Sequence, residues 1–240
     1  MVNKPMSSST SSPLSPRQTG FETARYNMVV SQLNTNGIVS EPVLAAFHGL
    51  PREHFVPADR QGVCYLDEDI TLSGGRFLVE PLILARMVEL AALNKNDSVL
   101  TFGDPTGYAA AILSQLAGKV VHLDNNETQT RSAEIRLQEL GVQNVTCATG
   151  SLKAGHAAGA PYNHIIISGA VSALPQNLLS QLAEGGKIFC VLQPHARQPG
   201  KIAILERSDA YESNQGAHRF AYDATTRYIP EYEPQNGFSL

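Results

Sequence analysis

Val99-Leu100-Thr101-Phe102-Gly103-Asp104-Pro105-Thr106-Gly107-Tyr108-Ala109-Ala110-Ala111-Ile112-Leu113 is the stretch on which the fold turns. A short apolar run over 98–102 reads as a buried strand. A tight turn follows, and an Ala-rich helix is expected over 106–117. Gly103 lets the chain turn sharply off the strand, and Gly107 lets the following helix pack closely. A second strand is expected over 119–123, and the acidic Asp124 ends it.

Reading outward, strand and helix keep alternating. Helix 127–140 closes at Gly141; strands are expected over 144–148 and 164–168. Ile165-Ile166-Ile167 has the continuous apolar character of a strand buried on both faces. A helix over 174–183 stops at Gly185-Gly186, and a strand over 187–192 follows. Segments 201–206 and 218–222 read as strands with no helix between them. Such βα alternation implies a parallel, doubly wound sheet, here closed by an antiparallel element. Upstream, helical spacing over 21–34, a short helix with Ser40 as its N-cap, and an amphipathic helix over 81–93 give an N-terminal helical part. The expected organisation is a disordered Ser- and Pro-rich leader over 1–20 and one domain over 21–224, split into helical part 21–93 and core 94–224. The tail, 225–240, is expected to pack over the surface as an extended segment.

Composition narrows the function classes. Of 240 residues, 42% are hydrophobic and 17% charged, enough for a sizeable core. A net charge of −4 with no basic run argues against a general nucleic-acid or anionic-membrane binder. No apolar stretch approaches the roughly 18 residues needed to span a bilayer. Cys64, Cys147 and Cys190 are far apart and lack C-x-x-C spacing, so a reducing, cytoplasmic setting is expected. The histidines show no H-x-x-H or H-E-x-x-H spacing, so no metal site is expected. No G-x-S-x-G elbow supports a hydrolase.

In doubly wound sheets, ligands bind beyond the carboxyl ends of the strands, and an acid about 20 residues after the first turn can accept from both ribose hydroxyls. Gly103, Gly107 and Asp124 stand in that relation. Taken alone they also fit an ordinary strand-to-helix turn. Pro105, which has no N–H, breaks the dinucleotide fingerprint.

The order of further blocks resembles the protein-L-isoaspartate O-methyltransferase family. Leu50-Pro51-Arg52-Glu53-His54-Phe55-Val56-Pro57 looks like its V-P-R-E-x-F-V-P segment, and Glu80-Pro81 through Ala85-Arg86-Met87 like its Q-P-x-x-x-A-R-M helix start. The 99–113 stretch is similar to its cofactor motif. Ala160-Pro161-Tyr162-Asn163-His164-Ile165-Ile166-Ile167-Ser168 and Leu182-Ala183-Glu184-Gly185-Gly186 match two later blocks. The resemblance implies a Rossmann-like, mostly parallel seven-stranded α/β sheet with an antiparallel closing strand. It also implies S-adenosylmethionine as methyl donor and an isoaspartyl protein or peptide as acceptor. Carried onto this sequence, the cofactor residues are Gly103, Asp104, Thr106, Gly107, Asp124 and Ser151.

The departures fall on the site itself. In the family's G-Q-G-Q-T-I-S-Q-P loop, Val79 stands at the serine position and Phe77 at the threonine position, and valine neither donates nor accepts a hydrogen bond. Thr101 replaces the motif's glutamate, Pro105 its middle glycine, Ser151 the aspartate after the third strand, and Asn163 the aspartate before the fourth. Arg76 is the one nearby residue suited to clamp an acceptor carboxylate, or else it is a solvated loop arginine. Glu80 reads as a first-turn acid or a contact to a cofactor amine. The expected activity is methyl transfer to an isoaspartyl carboxylate, that is, protein repair. The rivals are a non-catalytic member kept as a binding module (a pseudoenzyme) and a methyltransferase with a different acceptor.

Overall fold

The computed structural model describes residues 16–196, 198–207 and 217–234. Most of the expected 1–20 leader lies outside them, but its last residues are helical, since α1 spans Pro16–Asn27 and continues as a π-helical turn through Leu33. Helix α2, Glu41–Gly49, and α3, Pro81–Ala91, complete the N-terminal part. Proline sits in the first turn of both, where its missing N–H costs no helical hydrogen bond. Between α2 and α3 lies a two-residue ribbon that the sequence pattern did not reveal: β1, Ile70–Thr71, pairs antiparallel with β2, Phe77–Leu78.

The core alternates as expected: β3 Ser98–Phe102, α4 Tyr108–Leu116, β4 Lys119–Asp124, α5 Glu127–Glu139 and β5 Val145–Thr149. Next come β6 Tyr162–Val171, β7 Leu182–Leu192, β8 Gly200–Glu206 and β9 Ala217–Ala224. They form one seven-stranded sheet in the order β5-β4-β3-β6-β7-β8-β9. From β5 to β7 all pairs are parallel, while β8 runs antiparallel to both β7 and β9. The reversed strand is therefore β8, held inside the sheet, and β9 forms the edge.

Side chains alternate between two packed layers, as strand geometry requires. Val99, Val120 and Ile166 face the layer of α2, α3 and α4, whereas Leu100, Phe102, Val121, Ile165 and Ile167 face the other. All three isoleucines of β6 are fully buried, the burial their unbroken run implied.

Two expectations change. Instead of a helix over 174–183 there is a 3₁₀ segment, Gln176–Gln181, and β7 begins at Leu182. The Gln181 side chain accepts from the His156 N–H (2.9 Å) and donates to the Ala154 carbonyl (2.6 Å). That tie pins the chain where a helix would have continued. The described part of the tail, in turn, is seated more deeply than a segment merely lying over the surface: Ile229 is wholly buried and Tyr228 pairs with Ala170 at the end of β6, while Thr225, Arg227 and Pro230 stay exposed.

A candidate cofactor cleft at the sheet switch point

The chain leaves β3 toward β4 on one side and returns to β6 on the other, so the order reverses between β3 and β6. Ligand sites of doubly wound sheets open at that reversal, beyond the strand ends. Here the ends are Phe102-Gly103 and Ser168-Gly169.

Gly103 and Gly107 hold φ of 97° and 87°, the left-handed region that favours glycine. Gly107 is the residue before α4, and a Cβ there would lie 3.0 Å from Ala133 Cβ, so the close packing it permits is against α5. Asp104, between the glycines, is buried and turns inward. Its carboxylate accepts from the Thr106 N–H (2.7 Å), the Thr106 hydroxyl (2.6 Å) and the Ala109 N–H (2.8 Å). Asp104 and Thr106 thus organise the turn and satisfy orphan donors at the start of α4. Ser151 is exposed after β5, where its hydroxyl accepts from the Ala154 N–H at 3.4 Å.

Asp124 is fully buried at the end of β4. Its carboxylate receives the Arg76 guanidinium at 2.7 and 3.5 Å and the Asn126 N–H at 2.8 Å. A forked, charge-assisted contact of this kind is among the stronger polar interactions a protein makes. Arg76 also donates to Asn125 Oδ1 at 3.1 Å. The loop arginine therefore has its carboxylate already, and that carboxylate is the acid expected to hold a ribose.

The Ser73–Pro81 loop is fixed from beneath. Arg52, with no exposed surface, donates to the Val79 carbonyl (2.7 Å) and the Cys64 carbonyl (2.8 Å) and lies over the Tyr108 ring at 4.8 Å. Val79 and Phe77 are buried. Beside them, burial, reinforced by Asp67 and Asp69, pushes the Glu80 carboxyl up to about 7. Asp69 links this loop to the tail: one oxygen accepts from the Glu80 N–H (2.9 Å), the other from the Thr226 hydroxyl (2.6 Å) and the Arg227 N–H (2.9 Å).

The tail completes the site, and sequence reasoning missed this. Ala170 donates to the Arg227 carbonyl, Ile229 to the Ala170 carbonyl and Ser172 to the Tyr232 carbonyl, at 2.9, 3.1 and 3.0 Å. Tyr232 is buried, stacks on Phe102 and donates to the Leu152 carbonyl. A Cβ on Gly103 would lie 2.7 Å from Ile229 Cδ1, and one on Gly169 2.7 Å from Ile229 Cγ1 and 2.8 Å from Phe77 Cζ. The space over both switch-point glycines is filled by the chain's own side chains.

Buried polar atoms on β3, β4 and β6 that lack hydrogen-bond partners are the Thr101 hydroxyl, both His122 ring nitrogens, His164 Nδ1 and the Ser168 hydroxyl. Burial holds His122 below its ordinary pKa against the pull of Asp104 and Asp124. Elsewhere, Asn163 accepts from the Ser98 N–H (2.9 Å), and His164 lies 3.8 Å from Asp97, so both serve the opposite end of the sheet. Among the described residues no His, Cys, Asp and Glu cluster is arranged to hold a metal, and no helix is long and apolar enough to cross a membrane.

In this arrangement the acid that the family resemblance assigns to the ribose of S-adenosylmethionine is held by Arg76, and Ile229 and Phe77 pack against the switch-point glycines.

Comparison with known proteins places the chain. The family model for protein-L-isoaspartate(D-aspartate) O-methyltransferase matches residues 24–233. Protein-L-isoaspartate O-methyltransferase 1 of Rhodopseudomonas palustris is 36% identical over 176 residues, covering 73% of this chain and 72% of its own. The Koribacter versatilis protein-L-isoaspartate O-methyltransferase is 38% identical, with 72% and 78% covered. Among solved structures, a protein-L-isoaspartate O-methyltransferase superposes with a TM-score of 0.73 at 22% identity, covering 85% of this chain and 65% of that one. A Plasmodium falciparum beta-aspartate methyltransferase in complex with S-adenosyl-L-homocysteine gives 0.69 at 13%, covering 87% and 97%. With a matching model across nearly all the described residues and relatives above one-third identity, this chain belongs to the protein-L-isoaspartate(D-aspartate) O-methyltransferase family.

Proposed function

We propose that the chain transfers the methyl group of S-adenosylmethionine to the carboxylate of isoaspartyl residues in proteins, as a cytoplasmic repair enzyme. The observation that supports this most is the family match over 24–233, which takes in the Gly103–Gly107 turn, Asp124 and the 73–81 loop together.

Methyl transfer to a carboxylate needs no protein nucleophile. Its rate comes from holding the acceptor oxygen in line and away from water. The chain's own contribution on this reading is positional. Arg52 and Asp69 fix the peptide unit joining Val79 to Glu80, one at its carbonyl and the other at its N–H, so the loop beside the acceptor is held in place without a side-chain hydroxyl at position 79.

The test is methyl ester formation on an isoaspartyl peptide, measured beside the same peptide carrying normal aspartate. Ester on the isoaspartyl peptide alone is the expected result. Ester on neither, or on both equally, contradicts the assignment of the acceptor. A second reading, a non-catalytic family member, is favoured by one observation: Asp124, Gly103 and Gly169 are all taken up by the chain itself.

A further inference from the structure

Two parts of the chain that are far apart in sequence meet over the switch point. From one side come Arg76 and Phe77; from the other, the tail residues Ile229, Glu231 and Tyr232. Asn125, which is exposed, joins them, since its side-chain oxygen accepts from Arg76 and its amide donates to Glu231. Asp69 makes the second join, between the Glu80 N–H on one side and the Thr226 hydroxyl and Arg227 N–H on the other. Beneath the joins lie the two glycines covered by Ile229 and Phe77.

We propose that this is an autoinhibitory clasp. Arg76–Asn125–Glu231 and Asp69 hold the 226–232 segment so that Ile229 occupies the cofactor space and Arg76 occupies the ribose acid. The cleft then takes its nucleoside only when the segment lifts. Two observations set this apart from simple decay of a site. The joins themselves are polar and partly solvated, since Asn125 and Arg227 are exposed, whereas lifting the segment withdraws Ile229 and Tyr232 from the core beneath. The tail meets β6 through three hydrogen bonds rather than a full strand ladder. Binding that requires a minor open state is weakened by the fraction of molecules that are open.

The inference rests on the methyltransferase reading, and one experiment separates the two. S-adenosylhomocysteine is titrated calorimetrically into the full wild-type chain, an Ile229→Ala variant that empties the space, and an Asn125→Ala variant that cuts the exposed join and leaves the core intact. Amide exchange is followed at Ala170 and Ile229. The clasp requires Ile229→Ala to bind at least about tenfold more tightly than wild type, with Asn125→Ala shifted in the same direction. Exchange at Ala170 and Ile229 should quicken in both variants.

Equal dissociation constants in all three proteins overturn the clasp and leave the methyltransferase reading standing. No binding to any of them, while exchange shows that the segment has opened, overturns both. If Ile229→Ala does not fold, Asn125→Ala alone decides by the same comparison.

Discussion

Val79 and Phe77 mark the site's departure from its family at the scale of single residues, and Arg76 gives that departure a physical form. A guanidinium forked onto a buried carboxylate removes the acid from solvent and from any ligand that does not compete with it. Glu80 carries a separate, titratable consequence. With its carboxyl raised to about 7 by burial and by Asp67 and Asp69, the folded state favours the neutral acid. That contribution is complete below the ordinary value of 4.5 and fades as pH rises through about 7. Glu80→Gln, which keeps the shape without the charge, should therefore gain thermal stability relative to wild type on going from pH 5 to pH 8. Parallel melting curves at the two pH values check this; a variant Tm that, relative to wild type, stays constant or falls from pH 5 to pH 8 would contradict the raised carboxyl. Much of this scale was legible in sequence. The substitutions at 77, 79 and 105 stand out against the block pattern, and Asp124 follows from its distance after Gly103. The Arg76–Asp124 contact was not legible, because the two residues lie 48 positions apart and nothing in local spacing links them.

Among the elements, the βα turn shows how a residue named for a ligand serves the backbone instead. Asp104 accepts three hydrogen bonds that begin α4, so Asp104→Ala leaves buried donors unpaired and should cost about 2 kcal/mol, the upper end for loss of a helix cap. Urea denaturation would show it as a lower midpoint with an unchanged slope; a loss under about 0.5 kcal/mol would mean the cap is dispensable, since typical cap losses exceed that value. The strands with unbroken apolar runs, β3 and β6 above all, were legible because burial on both faces leaves no other reading. The 176–181 segment was not. Its apolar positions, Leu178 and Leu179, suit either a helix or a 3₁₀ turn, and the Gln181 contacts to residues 154 and 156 settle the choice from outside the segment. The β1–β2 ribbon has only two residues per strand, too few for any periodicity to register.

For the whole molecule, the sheet order puts the switch point between β3 and β6, and the tail returns to cover it. That return was invisible in the sequence: one isoleucine in an aperiodic segment carries no signal of where it will be buried. It matters more than any single substitution, because it joins the family's acceptor loop and cofactor turn into one closed unit. On the proposed reading, this chain retains a nucleoside site of the methyltransferase type beneath its own tail. A crystal structure of the full chain grown with S-adenosylhomocysteine tests the claim most directly. The expected structure has the ligand at Gly103 and Asp124, with Ile229 withdrawn from Gly103 and Arg76 turned away from the acid. A structure in which Ile229 still covers Gly103 and Arg76 still grips Asp124, with no ligand between them, would contradict it.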